Sequence, residues 1–134
     1  MGMDTSMNCL VVDDQAVAIK KVVNNLKALG LNKISQAKDG VEAFKLFEEA
    51  ITKGEPFGII ISDYNMPNLN GVELLKKVRN NCEKNDTPFL MVTAETEQSK
   101  IIEVVQAGVN NYIIKPFSAE DLEDKIGKIF LSKK

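Results

Sequence analysis

Five side chains could do chemistry together if the fold brings them to one place: Asp13, Asp14, Asp63, Thr93 and Lys115. Each closes a short apolar run. "NCLVV" runs into Asp13 and Asp14, "GIIIS" into Asp63, "FLMVT" ends on Thr93, and "NYII" runs into Lys115. Crowded carboxylates repel one another and raise each other's proton affinity. A hard cation relieves that repulsion, and an all-oxygen site with room for water suits Mg²⁺ together with a phosphate oxygen. The ammonium of Lys115 would add a second positive charge for an incoming phosphoryl group, and Thr93 could donate a hydrogen bond to it. Asp63, held at a strand end, could then act as the nucleophile and form an acyl phosphate. Taken singly, each residue has a plainer explanation. An Asp can cap a helix or start a turn, a Thr is at home in a strand, and a Lys is usually a solvated surface group. Their convergence is what points to a phosphoacceptor site.

Those residues need elements to carry them, and the chain alternates strand and helix patterns throughout. Strands are predicted over Met7–Val12, Lys33–Ala37, Phe57–Ser62, Pro88–Thr93 and Asn111–Ile114. Helices are predicted over about Gln15–Leu29 with Asp14 as cap, from Asp39, from Asn70 to about Asn81, over Glu97–Ala107, and from Ser118 to about Leu131. "DGVE", "NGVE" and the Ser118–Asp121 pair supply acceptors at helix starts. Ile101, Ile102, Val104 and Val105 read mainly as a core face of the fourth helix, with a partner face as the alternative and Ile101 the one residue assigned to it. Strict alternation with apolar strands implies a doubly wound α/β fold around a five-stranded parallel sheet. In such a sheet ligands bind beyond the carboxyl ends of the strands, where the five residues fall.

Bulk composition narrows the function further. The 134 residues suit one domain, expected over 7–132 with a disordered lead-in over 1–6. Net charge is −2 with no basic run, so nucleic-acid binding has no electrostatic support. No apolar stretch is long enough to span a membrane and no secretory signal opens the chain, so a cytoplasmic protein is expected. Cys9 and Cys82 form neither a CxxC pair nor a metal spacing. Histidine is absent, which excludes Ser-His-Asp and Cys-His catalysis and histidine zinc sites.

The stretches "LVVDD", "ISDYNMPNLNGVELLKKVR", "MVTAE", "AGVNNYIIKPF" and "LEDKIGKIF" resemble the response-regulator receiver family, and within it the stand-alone chemotaxis regulators. The resemblance covers Met7 to Phe130. It implies a flavodoxin-like (βα)5 fold with strand order 2-1-3-4-5. It assigns Asp63 as phosphoacceptor, with Mg²⁺ bound by Asp14, Asp63 and the carbonyl of Asn65, and by Asp13 through water. Thr93 would be the switch hydroxyl, Lys115 the phosphate-pairing lysine, and Tyr112 the ring that turns inward when Thr93 moves. Asn65 and Glu95 match positions that tune autodephosphorylation, and Lys115–Pro116 matches a cis bond. An output face of Thr96, Gln98, Ile101, Tyr112 and Lys125 is implied. Gln15 and Gln98 depart from the chemotaxis pattern. The implied partners are a histidine kinase as phosphodonor, a flagellar motor switch protein and a phosphatase, acting on a monomer.

No output module is expected after "FLSKK", so the signal would leave by partner binding. Three functions compete for such a site. One is a chemotaxis switch, one a relay receiver, phosphate sink or adaptor for another partner, and one a phosphoester hydrolase of the haloacid-dehalogenase type. The last needs an acid two residues after the nucleophile, and Asn65 cannot supply that proton.

Overall fold

The computed structural model describes residues 5–94 and 98–131. Ten elements alternate: β1 (Asn8–Val12), α1 (Ala16–Ala28), β2 (Lys33–Ala37), α2 (Gly40–Thr52), β3 (Phe57–Asp63), α3 (Gly71–Arg79), β4 (Phe89–Thr93), α4 (Gln98–Gln106), β5 (Asn111–Ile114) and α5 (Ala119–Leu131). The strands form one parallel sheet in the order β2-β1-β3-β4-β5. This is the expected flavodoxin-like arrangement.

Period-two alternation along the strands feeds two cores. Cys9, Val11, Ile59, Ile61, Leu90 and Val92 face α1 and α5, where Leu26, Leu122 and Ile126 meet them. Leu10, Val12, Ile60, Phe89 and Met91 face the opposite layer, with Phe47 of α2, Leu74 and Leu75 of α3 and Val104 of α4. Both faces are covered, so the central strands are apolar over most of their length. The edge strand β2 is the exception, with Lys33 and Gln36 exposed. Among the described residues no helix is long and apolar enough to cross a membrane. Both cysteines are free; Cys9 is buried, which pushes its thiol up to about 11.

Helix starts follow local chemistry. Asp39 accepts the Glu42 N–H at 2.8 Å, and the Glu42 carboxylate accepts the Lys38 N–H. Asn70 and Glu73 complete a reciprocal capping box on α3, and Ser118 and Asp121 do the same before α5. Two expectations fail. Asp14 does not cap α1: the preceding Asp13 accepts the Gln15 N–H at 2.9 Å, which leaves Asp14 exposed. The apolar residues of α4 are not all core, since only Val104 is buried, while Ile102 is 44% and Val105 53% exposed. Positions 101, 102, 104 and 105 span a wider arc than the narrow stripe this helix packs against the sheet.

Candidate functional site

Strand order reverses between β1 and β3, and the crevice beyond their carboxyl ends is the ligand position of an open α/β sheet. Asp13 follows β1 and Asp63 ends β3, both buried to within 7% of full burial. Carboxylate oxygens of Asp13, Asp14 and Asp63 lie within 4.8 Å of one another. Lys115, just past β5, reaches in from the side. Its ammonium is 3.1 Å from Asp63 Oδ1 and 3.5 Å from Asp13 Oδ2. The other oxygen of Asp13 holds the Gln15 N–H, so one carboxylate starts α1 and steadies the lysine together.

Three carboxylates face one ammonium, and the electrostatics show the imbalance. Burial raises the Asp63 carboxyl above the ordinary aspartate value, Asp13's charge adds to that, and the Lys115 contact only partly offsets both. Burial alone would lower Lys115, yet the hydrogen bonds and charges of Asp63 and Asp13 outweigh it and raise its pKa. Hard oxygen donors with surplus negative charge at a partly open rim fit Mg²⁺.

Backbone contacts hold Asp63 in place. The Tyr64 N–H donates to the Val92 carbonyl at 2.8 Å, and the Gly71 N–H donates to the Tyr64 carbonyl at 3.0 Å. Gly71 packs so closely that a Cβ there would overlap the Asp63 carbonyl oxygen and lie 2.7 Å from Met91 Sδ. Further along the loop, Asn68 takes a positive φ of 68° and its amide donates to Asp39 at 3.0 Å, while the Gly40 N–H donates to the Leu69 carbonyl. The loop after the candidate nucleophile is thereby fastened to the starts of α2 and α3.

Thr93 is buried at the end of β4, and its carbonyl accepts the Lys115 N–H at 2.8 Å. The Lys115–Pro116 bond is cis. Asn65 is exposed, two residues beyond Asp63. Tyr112 is half-buried on β5, with the Lys125 ammonium 5.8 Å from its ring centre. Both line a surface groove of about 330 Å³ with Ile114, Phe117, Asp121 and Asp124. On α4, Gln98 is exposed and Ile101 half-buried. Glu95 and Thr96 lie outside the described residues.

Other contacts had no signature in the sequence. Tyr64, buried beside Asp63, donates its hydroxyl proton to Glu103 of α4 at 2.7 Å. Arg79 donates to the carbonyls of Asn85, Thr87 and Gly108 and to the Asn110 side chain, at 2.7–2.9 Å. The Lys21 ammonium of α1 donates to the Phe117 carbonyl at 2.7 Å. Most of these acceptors are backbone atoms, which any residue type supplies.

Residues 9–127 match the response regulator receiver domain family. The chain is 41% identical over 128 residues to chemotaxis protein CheY-3 of Vibrio cholerae, covering 96% of this chain and 95% of that protein. A chemotaxis protein CheY homolog of Campylobacter jejuni is 42% identical over 120 residues, 90% of this chain and 89% of that protein. The solved structure of chemotaxis response regulator CheY4 of Vibrio cholerae superposes with a TM-score of 0.80 at 33% identity, covering 92% of this chain and 98% of that one. An acidic cluster at the switch point of a 2-1-3-4-5 sheet and this breadth of likeness lead to one assignment: the chain belongs to the response regulator receiver domain family, with chemotaxis proteins of the CheY type among its relatives.

Proposed function

We propose that this chain, as one receiver domain over 7–132, is a chemotaxis-type switch that a histidine kinase phosphorylates on Asp63. The observation that carries the reading is Lys115 Nζ at 3.1 Å from Asp63 Oδ1, beside three clustered carboxylates. Receiver domains of the family take up phosphate on an aspartate, bind Mg²⁺ at an acidic pocket and change partner affinity. Here Asp14, Asp63 and the Asn65 carbonyl would hold the metal, and Asp13 would bind it through water. Bound there, Mg²⁺ would neutralise charge on the transferring phosphoryl group. A carboxylate oxygen of Asp63 attacks phosphorus as the bond to the donor's imidazole nitrogen breaks, and the imidazole keeps the electron pair. Lys115 and the Thr93 hydroxyl compensate the phosphoryl oxygens. Asn65 and Glu95 would set how readily water attacks the acyl phosphate.

Output is a population shift: phosphate favours one of two packings, and a partner binds that packing better. Tyr112 and Lys125 share a groove; a docking face for a flagellar motor switch protein would combine them with Gln98, Ile101 and, by the family resemblance, Thr96. Gln98, exposed where the chemotaxis pattern has a basic residue, favours a second reading as a relay receiver or phosphate sink. Titration with the N-terminal flagellar switch peptide, with and without Mg²⁺ and beryllofluoride, separates the two. Tighter binding with the phosphoryl mimic supports the motor reading. No binding with the mimic bound supports the second.

A further inference from the structure

We propose that Lys21 is a positioning residue for Lys115, acting through the loop that follows β5. The inference rests on the phosphoacceptor reading and extends it to a residue outside the site. Lys21 stands in the second turn of the helix that Asp13 starts, and its ammonium meets Phe117 twice. It donates to the Phe117 carbonyl at 2.7 Å and lies 4.3 Å from the centre of the Phe117 ring. One cation therefore fixes both the backbone and the ring of the residue two places after Lys115.

The surroundings explain why such a strap matters. A cavity of about 210 Å³ separates α1 from the Lys115 loop, with Ala18, Lys21, Val22, Asp63, Lys115 and Phe117 in its wall. Side chains that line this open pocket are not clamped by packing on that side. On its far side the loop is held by the Lys115 N–H on the Thr93 carbonyl at 2.8 Å. On the α1 side Lys21 crosses the gap. Phe117 also belongs to the same buried cluster as Leu122 and Ile126, so loss of the strap should leave the core in place. What changes is the freedom of the Phe117 carbonyl, and with it the angle at which Lys115 approaches Asp63. Transfer rates are sensitive to such placement: a misplacement of about 1 Å can cost about 100-fold.

The test uses the full chain, Mg²⁺ and acetyl phosphate, and follows the initial labelling rate against donor concentration. Lys21→Met keeps the apolar stem and removes the charged donor, whereas Lys21→Arg keeps a donor. The expected result is a maximal rate about three- to tenfold lower in Lys21→Met, within the range that misplacement allows. Half-saturation should be unchanged and the rate restored in Lys21→Arg. In a Lys115→Ala background the same Lys21→Met change should have no further effect, since residues that act as a unit are not additive. A wild-type rate in Lys21→Met, or an equal loss in the Lys115→Ala background, overturns the proposal. Absence of labelling in the wild type overturns the phosphoacceptor reading itself and this inference with it.

Discussion

Asp63 sits where burial and the charge of Asp13 disfavour its ionised form, and the Lys115 ammonium and a backbone hydrogen bond from Tyr64 only partly offset them. Its folded pKa is therefore above the unfolded one, so the folded chain holds that proton more tightly. At neutral pH the ionised carboxylate costs stability, and the cost disappears as pH falls through the raised folded value towards the ordinary value of 3.8. Asp63→Asn should accordingly raise Tm at pH 7 without divalent cations, with the gain shrinking towards pH 4. Calorimetry across that range checks it, and a variant less stable than wild type at pH 7 would be contrary. At this scale the sequence was readable where residue type and strand ends coincide. Asp13, Asp14, Asp63 and Lys115 do converge. Asp14 as a helix cap was misread because two adjacent aspartates compete for one N–H, and spacing does not say which wins.

Element starts were legible for a related reason: a cap needs only residues a few positions apart. The Asn70–Glu73 box could be read from "NGVE" and is formed. Gly71, inside that box, carries a tertiary role that the motif hides, because it seats α3 on the Asp63 carbonyl. Asn70→Ala should cost about 1 kcal/mol, the usual loss for a cap. Gly71→Ala should cost about 1–3 kcal/mol by overpacking and slow labelling of Asp63 as well, because the backbone must shift there. Urea unfolding with a labelling assay checks both; equal labelling rates in the two variants would argue that Gly71 does not set the position of Asp63. Longer-range fastenings escaped the sequence. Arg79 joins the end of α3 to the turns before β4 and β5, but three of its four acceptors are carbonyls. The exposed Ile102 and Val105 escaped too, since periodicity gives the apolar arc of a helix and not how much of it the sheet covers.

Strand order belongs to the whole molecule. Alternation of strand and helix implies a parallel sheet, yet the order β2-β1-β3-β4-β5 came with the family resemblance. That order puts β1 beside β3 and so brings Asp13 and Asp14 to Asp63. A ligand that needs this assembled rim binds the folded chain and not the unfolded one. Mg²⁺ at about 100 times its Kd should then stabilise the fold by about 2.7 kcal/mol. For a chain of this size that is a rise in Tm of the order of 8 °C. Asp63→Asn should lose most of the response, and an equal rise in the variant would place the ion elsewhere. The central claim is that Asp63 accepts the phosphoryl group, and intact mass spectrometry after incubation with acetyl phosphate and Mg²⁺ tests it most directly. The expected result is addition of one phosphoryl group to the wild type, and none after chelation of Mg²⁺ or in Asp63→Asn. Persistent labelling in either control would contradict the assignment.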